Sequence, residues 1–316
     1  MTAAVEAHEL TRRYGDLVAV DRLTLRVEAG EILGVLGPNG AGKTTAIRML
    51  TTILEPTSGS FSVAAVPQSR PDAIRRLIGV LPESAGYPER QTGLEYVTYH
   101  ARLHGHSRTS ARTTASRLLH DVGLGDRAGS QIGTFSRGMR QRLGIARALV
   151  NEPRVVFLDE PTLGLDPAGQ RQMLDILRSV ARERGATVLL STHLLGEVEE
   201  TCTRVVIVNR GRLVADGTVA EVVRKVAAPS TIRLRVDADD AERALAALRH
   251  TRGIRAAEHA NGSQGSLTAT LEPGGDWAAT LCVTALADAS VTVLAFELEG
   301  ARLSDAFLAM TGAEAA

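Results

Sequence analysis

Eight consecutive residues, Gly37-Pro38-Asn39-Gly40-Ala41-Gly42-Lys43-Thr44, combine three glycines with a lysine and a hydroxyl, between an apolar run ending at Leu36 and a stretch of helical periodicity. Glycines there let successive backbone N–H groups turn toward one point, and the start of the following helix adds its positive end. That geometry binds phosphate. Lys43 then reaches the β and γ phosphates of a nucleotide, Thr44 offers its hydroxyl to Mg²⁺, and Thr45 completes the phosphate-binding set. A glycine-rich turn before a helix is the plainer reading, and the flanking strand and helix count against it. Of the 36 basic residues only Lys43 and Lys225 are lysines, which suggests that position 43 needs a compact ammonium that a planar guanidinium cannot replace. A second cluster, Val155-Val156-Phe157-Leu158-Asp159-Glu160, is an apolar strand ending in two carboxylates. Asp159 suits Mg²⁺ through its water shell, and Glu160 suits polarisation of an attacking water. Alone, such a strand could simply end in a solvated acidic turn.

These groups need a frame. The 316 residues exceed the usual single-domain range, so a large domain with a smaller appendage is expected. Residues 3 to 10 and 18 to 27 read as strands joined around Gly15 and Asp16, followed by a strand at 31 to 36 and a helix from Lys43 to about Leu54. Apolar runs at Ile78 to Leu81, Val155 to Leu158, Thr187 to Leu190 and Val205 to Val208 alternate with helical stretches, the pattern of a parallel sheet covered by helices. Residues 92 to 121 show helical periodicity with no intervening strand, which reads as an insertion. The expected division is an α/β domain over 1 to 226, with a helical subdomain at about 84 to 150, and an accessory domain over 230 to 316. The Ala-Ala-Pro-Ser stretch at 227 to 230 marks the boundary, and the order after it, βαββαβ and a last helix, predicts a small α+β ferredoxin-like unit.

Between the two clusters lies Phe135-Ser136-Arg137-Gly138-Met139-Arg140-Gln141-Arg142-Leu143, which resembles the signature motif of ABC ATPases, usually Leu-Ser-Gly-Gly-Gln before a helix. Ser136 and Gly138 match; Arg137 and Met139 depart from it, as in drug-export branches. A Ser hydroxyl with backbone N–H groups at a helix start also makes an anion site in its own right. The resemblance runs over residues 3 to 225 and implies a P-loop ATPase fold with ATP and Mg²⁺ as ligands. It implies that Tyr14 stacks on adenine, that Asp166 belongs to a dimer-contact loop, and that His193 is a switch residue touching the γ-phosphate. Glu83 stands where most members have Gln, which implies a metal-side carboxylate. Asp166 before Pro167 is equally a helix cap with a first-turn proline. The Leu81-Pro82-Glu83 stretch and the segment Leu303 to Gly312 resemble the daunorubicin-resistance and sodium-extrusion branch of bacterial ABC exporters.

By that resemblance the chain is an ATP-hydrolysing subunit that works as a homodimer, each signature capping the ATP of the other, beneath an integral membrane permease whose cargo is a drug, a lipid or an ion. Its implied place is cytoplasmic, peripheral to the membrane through that permease. The formal net charge of +0 removes the positive field of a nucleic-acid binder. No apolar run approaches the ~18 to 20 residues needed to cross a bilayer, and Met1 to Leu10 lacks the features of a signal peptide. The rival reading is a soluble, non-transport ABC ATPase. Such proteins carry two cassettes or long coiled-coil insertions, and neither appears. His100, His104 and His106 sit at near-helical spacing, but no carboxylate or cysteine completes a zinc set, and Cys202 and Cys282 read as small core residues.

Overall fold

A computed structural model describes residues 3–225, 231–260, 265–272, 277–299 and 303–312, and the chain divides into two compact units between Val219 and Ala220. In the first unit, β1 (Ala3–Tyr14) and β2 (Leu17–Glu28) form an antiparallel hairpin. The strand β3 (Ile32–Leu36) leads through the glycine loop into α1 (Lys43–Leu50). This helix stops short of Leu54 because the Thr51 hydroxyl donates back to the Ile47 carbonyl at 2.8 Å and Thr52 adopts a left-handed φ of 62°. The strands β4 (Ser58–Val63) and β5 (Val66–Pro67) extend the hairpin into a separate four-stranded sheet of order β2-β1-β4-β5. Apolar alternation did not separate that sheet from the main one.

After α2 (Pro71–Arg75) and β6 (Ile78–Leu81) comes the helical insertion, α3 (Gly93–Leu103), α4 (Arg108–Asp121) and α5 (Arg137–Ala148). Thr92 starts α3 with a capping box shared with Glu95. The main sheet is completed by β7 (Val155–Asp159), α6 (Pro167–Arg184), β8 (Thr187–Thr192), α7 (Leu195–Thr201), β9 (Arg204–Asn209) and β10 (Arg212–Gly217). Its order is β10-β9-β3-β8-β7-β6, and every pairing except β10 with β9 is parallel.

The period of two along each central strand divides the core. Val156, Leu158, Val188 and Leu190 point to the helical side and pack with Leu118, Leu143 and Met173. Val155, Phe157 and Leu189 point the other way, onto Ile47, Met49 and the antiparallel sheet. A strand buried on both faces must be apolar throughout, as β7 and β8 are until their carboxyl ends.

The second unit begins in α8 (Val219–Lys225); the stretch 227 to 230 lies outside the described residues. Its strands are β11 (Thr231–Val236), β12 (Ile254–His259), β13 (Ser266–Leu271) and β14 (Val293–Glu299), ordered β12-β13-β11-β14 and antiparallel throughout. The helices α9 (Ala241–Arg249) and α10 (Ala278–Asp288) cover one face, and α11 (Leu303–Thr311) follows. This is the ferredoxin-like order.

Gly79 sits in β6 directly against the Ala148 carbonyl at the end of α5, where a Cβ would collide with that oxygen. Gly79→Ala is therefore expected to push α5 off the sheet and to lower stability by about 1 to 3 kcal/mol, read by urea denaturation.

Candidate active site

Three parallel strands end at one edge of the main sheet. In the pairing of β3, β8 and β7, Leu36 lies beside Thr192 and Asp159 beside Ser191. The residues that follow are Gly37, His193 and Glu160, so separate motifs meet at the carboxyl ends of the strands, where open α/β sheets bind ligands.

The glycine loop has the shape its composition predicts. Gly40 and Gly42 have φ of 79° and 105°, and a Cβ on Gly42 would run into the Ala19 carbonyl of β2. Gly42 caps α1 with no side-chain bond, which leaves the first N–H groups of the helix for a ligand. Lys43 is buried, and its Nζ donates to the Gly37 carbonyl at 2.5 Å and the Pro38 carbonyl at 3.4 Å while lying 3.7 Å from Glu160 Oε1. Burial pulls the ammonium below its usual range, and the carboxylates of Glu160 and Asp159 act against that shift.

Both acidic residues are anchored by Ser191. Its hydroxyl donates to Asp159 Oδ1 at 2.5 Å, and the same Asp159 oxygen accepts from the Thr44 hydroxyl at 3.1 Å. The Glu160 N–H donates to the Ser191 carbonyl at 3.0 Å and to its Oγ at 3.2 Å. Glu160 has a φ of 51°, a left-handed backbone that turns its side chain out of the strand, and its Oε2 lies 2.9 Å from His193 Nδ1.

A cleft of about 530 Å³ collects Tyr14, the loop from Pro38 to Thr45, Glu83, Glu160 and His193. Gly37 lies beneath it, bonded to Lys43. Tyr14 is 44% exposed, with the Arg12 guanidinium 4.8 Å above its ring. Glu83 is exposed in the loop after β6.

Ser136, Gly138 and Asp166 do not line this cleft. Ser136 caps α5 by accepting from the Met139 N–H at 3.3 Å, and Asp166 caps α6 by accepting from the Gly169 N–H at 3.1 Å. These two helix starts touch each other. The Arg137 guanidinium lies over Gly164, where a Cβ would come within 2.6 Å of it, and Leu165 faces Gly138.

Sequence reasoning missed three contributors: Ser191 as a double anchor, Arg137 as a cover for Gly164, and Glu197, a buried carboxylate behind the site. Ser191 had a readable signal, a hydroxyl beside His193 at a strand end. The other two had none.

Across almost its whole length the chain is similar to the daunorubicin/doxorubicin resistance ATP-binding protein DrrA of Streptomyces peucetius, with 39% identity over 98% of this chain and 93% of the relative. A family model described as ABC transporter matches residues 20–163. The chain belongs to the ABC transporter family. Within it the chain is the ATP-binding, ATP-hydrolysing subunit. It is also 42% identical to a Nod factor export ATP-binding protein of Burkholderia thailandensis over 68% of this chain and 71% of that one. A solved ATP-binding subunit of an ABC transporter superposes with a TM-score of 0.64 and 32% identity, over 70% of this chain and 92% of that one. Among the described residues no helix is long and apolar enough to cross a membrane.

Lys43→Arg keeps the charge but places a wider group in a pocket already closed by two carbonyls. ATP affinity should fall by at least about tenfold, roughly 1.4 kcal/mol, in a fluorescent-nucleotide titration.

Proposed function

We propose that this chain energises an exporter of an antibiotic-type small molecule, hydrolysing ATP in a pair of composite sites made by two copies of itself. The observation that carries the hydrolytic part is the contact of Glu160 with His193 at 2.9 Å in the same cleft as the phosphate loop. With the phosphates on the loop, a water beyond the γ-phosphate would meet Glu160, which polarises it, and His193, which orients Glu160 and reaches the phosphate. Tyr14 takes the adenine ring on the face opposite Arg12.

Thr44, Asp159 and Glu83 are all oxygen donors beside the loop, the donor type that Mg²⁺ takes. Bound there, Mg²⁺ would neutralise charge between the β and γ phosphates. Glu83 fits that side of the cleft, since a bare carboxylate ~5 Å from the γ-phosphate would cost on the order of 3 kcal/mol at an effective dielectric of 20. Glu83→Gln is expected to raise the Mg²⁺ concentration for half-maximal ATPase rate, and Glu83→Ala to raise it further; superimposable Mg²⁺ titrations would remove Glu83 from the metal side.

Dimerisation is supported by what the cleft lacks. Ser136 and Gly138 present a helix start, yet neither lines the phosphate cleft of its own chain, so they are left to cap the nucleotide of a second copy. Asp166, at the start of α6, accompanies them at that junction. The permease is the membrane element, and docking on it would hold this chain at the cytoplasmic face. The exporter reading rests on similarity across both units to a drug-resistance protein and across the first unit to an export protein. We also read residues 230 to 316 as a separable accessory to a cassette ending near residue 226.

Glu160→Gln removes the polarising carboxylate and keeps the phosphate contacts. With ATP this variant should run as a dimer on gel filtration and hydrolyse at least about a hundredfold more slowly. A monomer, or hydrolysis at the normal rate, contradicts the assignment.

A further inference from the structure

Glu197 lies on α7, four residues beyond His193, and is only 7% exposed. Its Oε2 accepts two hydroxyls, from Thr162 at 2.7 Å and from Thr192 at 3.1 Å. Both threonines are fully buried. Thr162 stands two residues after Glu160, and Thr192 stands immediately before His193. The Thr192 Oγ1 also accepts from the Leu194 N–H at 3.1 Å, so the backbone after His193 is tied to the same hydroxyl that Glu197 holds. The other oxygen, Oε1, is buried and has no hydrogen-bond partner. Burial pushes the carboxyl above its usual range, and the two threonine bonds act against that.

A buried carboxylate with one bare oxygen is an expensive way to hold two threonines if packing were all that mattered. The arrangement has a geometric consequence instead. The His193 ring is about one third exposed and bonds only to Glu160 among the described contacts, so its position is set by the backbone that carries it. Glu160 is fixed from strand β8 through Ser191, and the segment leaving it is fixed through Thr162.

We propose that Glu197 is a positioning residue for ATP hydrolysis, one carboxylate oxygen clamping Thr162 to Thr192 so that Glu160 and His193 are held at contact distance. The proposal rests on the reading of Glu160 and His193 as the hydrolytic pair. Glu197 is buried and does not line the cleft that holds the glycine loop. Its loss should lower turnover and leave ATP binding in place, because the phosphate loop lies outside the clamp. Glutamine should rescue: its carbonyl accepts both hydroxyls and its amide occupies the place of the unpaired Oε1.

The test uses the full-length chain. Glu197→Ala, Thr162→Val and Thr192→Val should each lower kcat by about tenfold or more with the ATP dissociation constant within about threefold, and Glu197→Gln should recover most of the rate. In a His193→Ala background, Glu197→Ala should lower kcat by less than about twofold further, since both act through one contact. The two threonine variants keep the experiment decisive if Glu197→Ala folds poorly. Wild-type kcat in Glu197→Ala or in both threonine variants overturns the clamp while leaving the hydrolytic pair intact. Full multiplication of the His193 and Glu197 effects also overturns it, as does equal damage by alanine and glutamine with weakened ATP binding. Wild-type kcat in Glu160→Gln and His193→Ala would instead remove the hydrolytic pair and the clamp together.

Discussion

The register between β7 and β8 is the constraint on which the site depends. Because Asp159 stands beside Ser191, one serine can bond the Asp159 carboxylate and also hold the Glu160 N–H through its carbonyl and hydroxyl. Those bonds stabilise Glu160 at a positive φ, a conformation that costs a non-glycine residue energy and that aims its side chain at His193 and Lys43. A slip of β7 by one residue would send Val156 and Leu158 to the wrong layer, so the apolar core supports the register that the polar groups need. Packing and chemistry are the same constraint seen from two ends of the strand.

Lysine 43 shows the electrostatic side of this arrangement. An ammonium buried under the loop is destabilised by lost hydration, and the facing carboxylates only offset that loss. Two loop carbonyls take part of its charge. A triphosphate entering the cleft would add the negative charge that such a buried cation lacks. The loop is thus organised for an anion by the fold itself.

Legibility in the sequence followed physical cause. The strands β3, β6, β7, β8 and β9 carry short continuous apolar runs because they are buried on both faces, and each was readable. β4 and β10 were not: Ser58-Gly59-Ser60 and Arg212 to Gly217 are too polar and short to stand out, since their strands lie in the outer sheet or at an edge. The glycine loop and the acidic pair stood out because each follows a short apolar run at a strand end, whereas His193 was singled out only through the family resemblance. Glu197 was not, since Glu199 and Glu200 beside it are exposed and only the turn of α7 decides which carboxylate faces inward. Nor was Arg137, which at the first position of a helix reads as a solvated charge until Gly164 is placed under it.

One chain holds an exposed tyrosine ring, a glycine loop, a carboxylate and a histidine in one cleft, and keeps the helix start at Ser136 outside it. The central claim is that two copies complete each other. Mixed dimers carrying Lys43→Ala in one chain and Ser136→Arg in the other test it most directly, because both lesions then fall on one of the two composite sites and the other is untouched. The account predicts that each pure variant is inactive and that the mixed dimer recovers up to about half the wild-type ATPase rate. Mixed dimers no more active than either parent would contradict it.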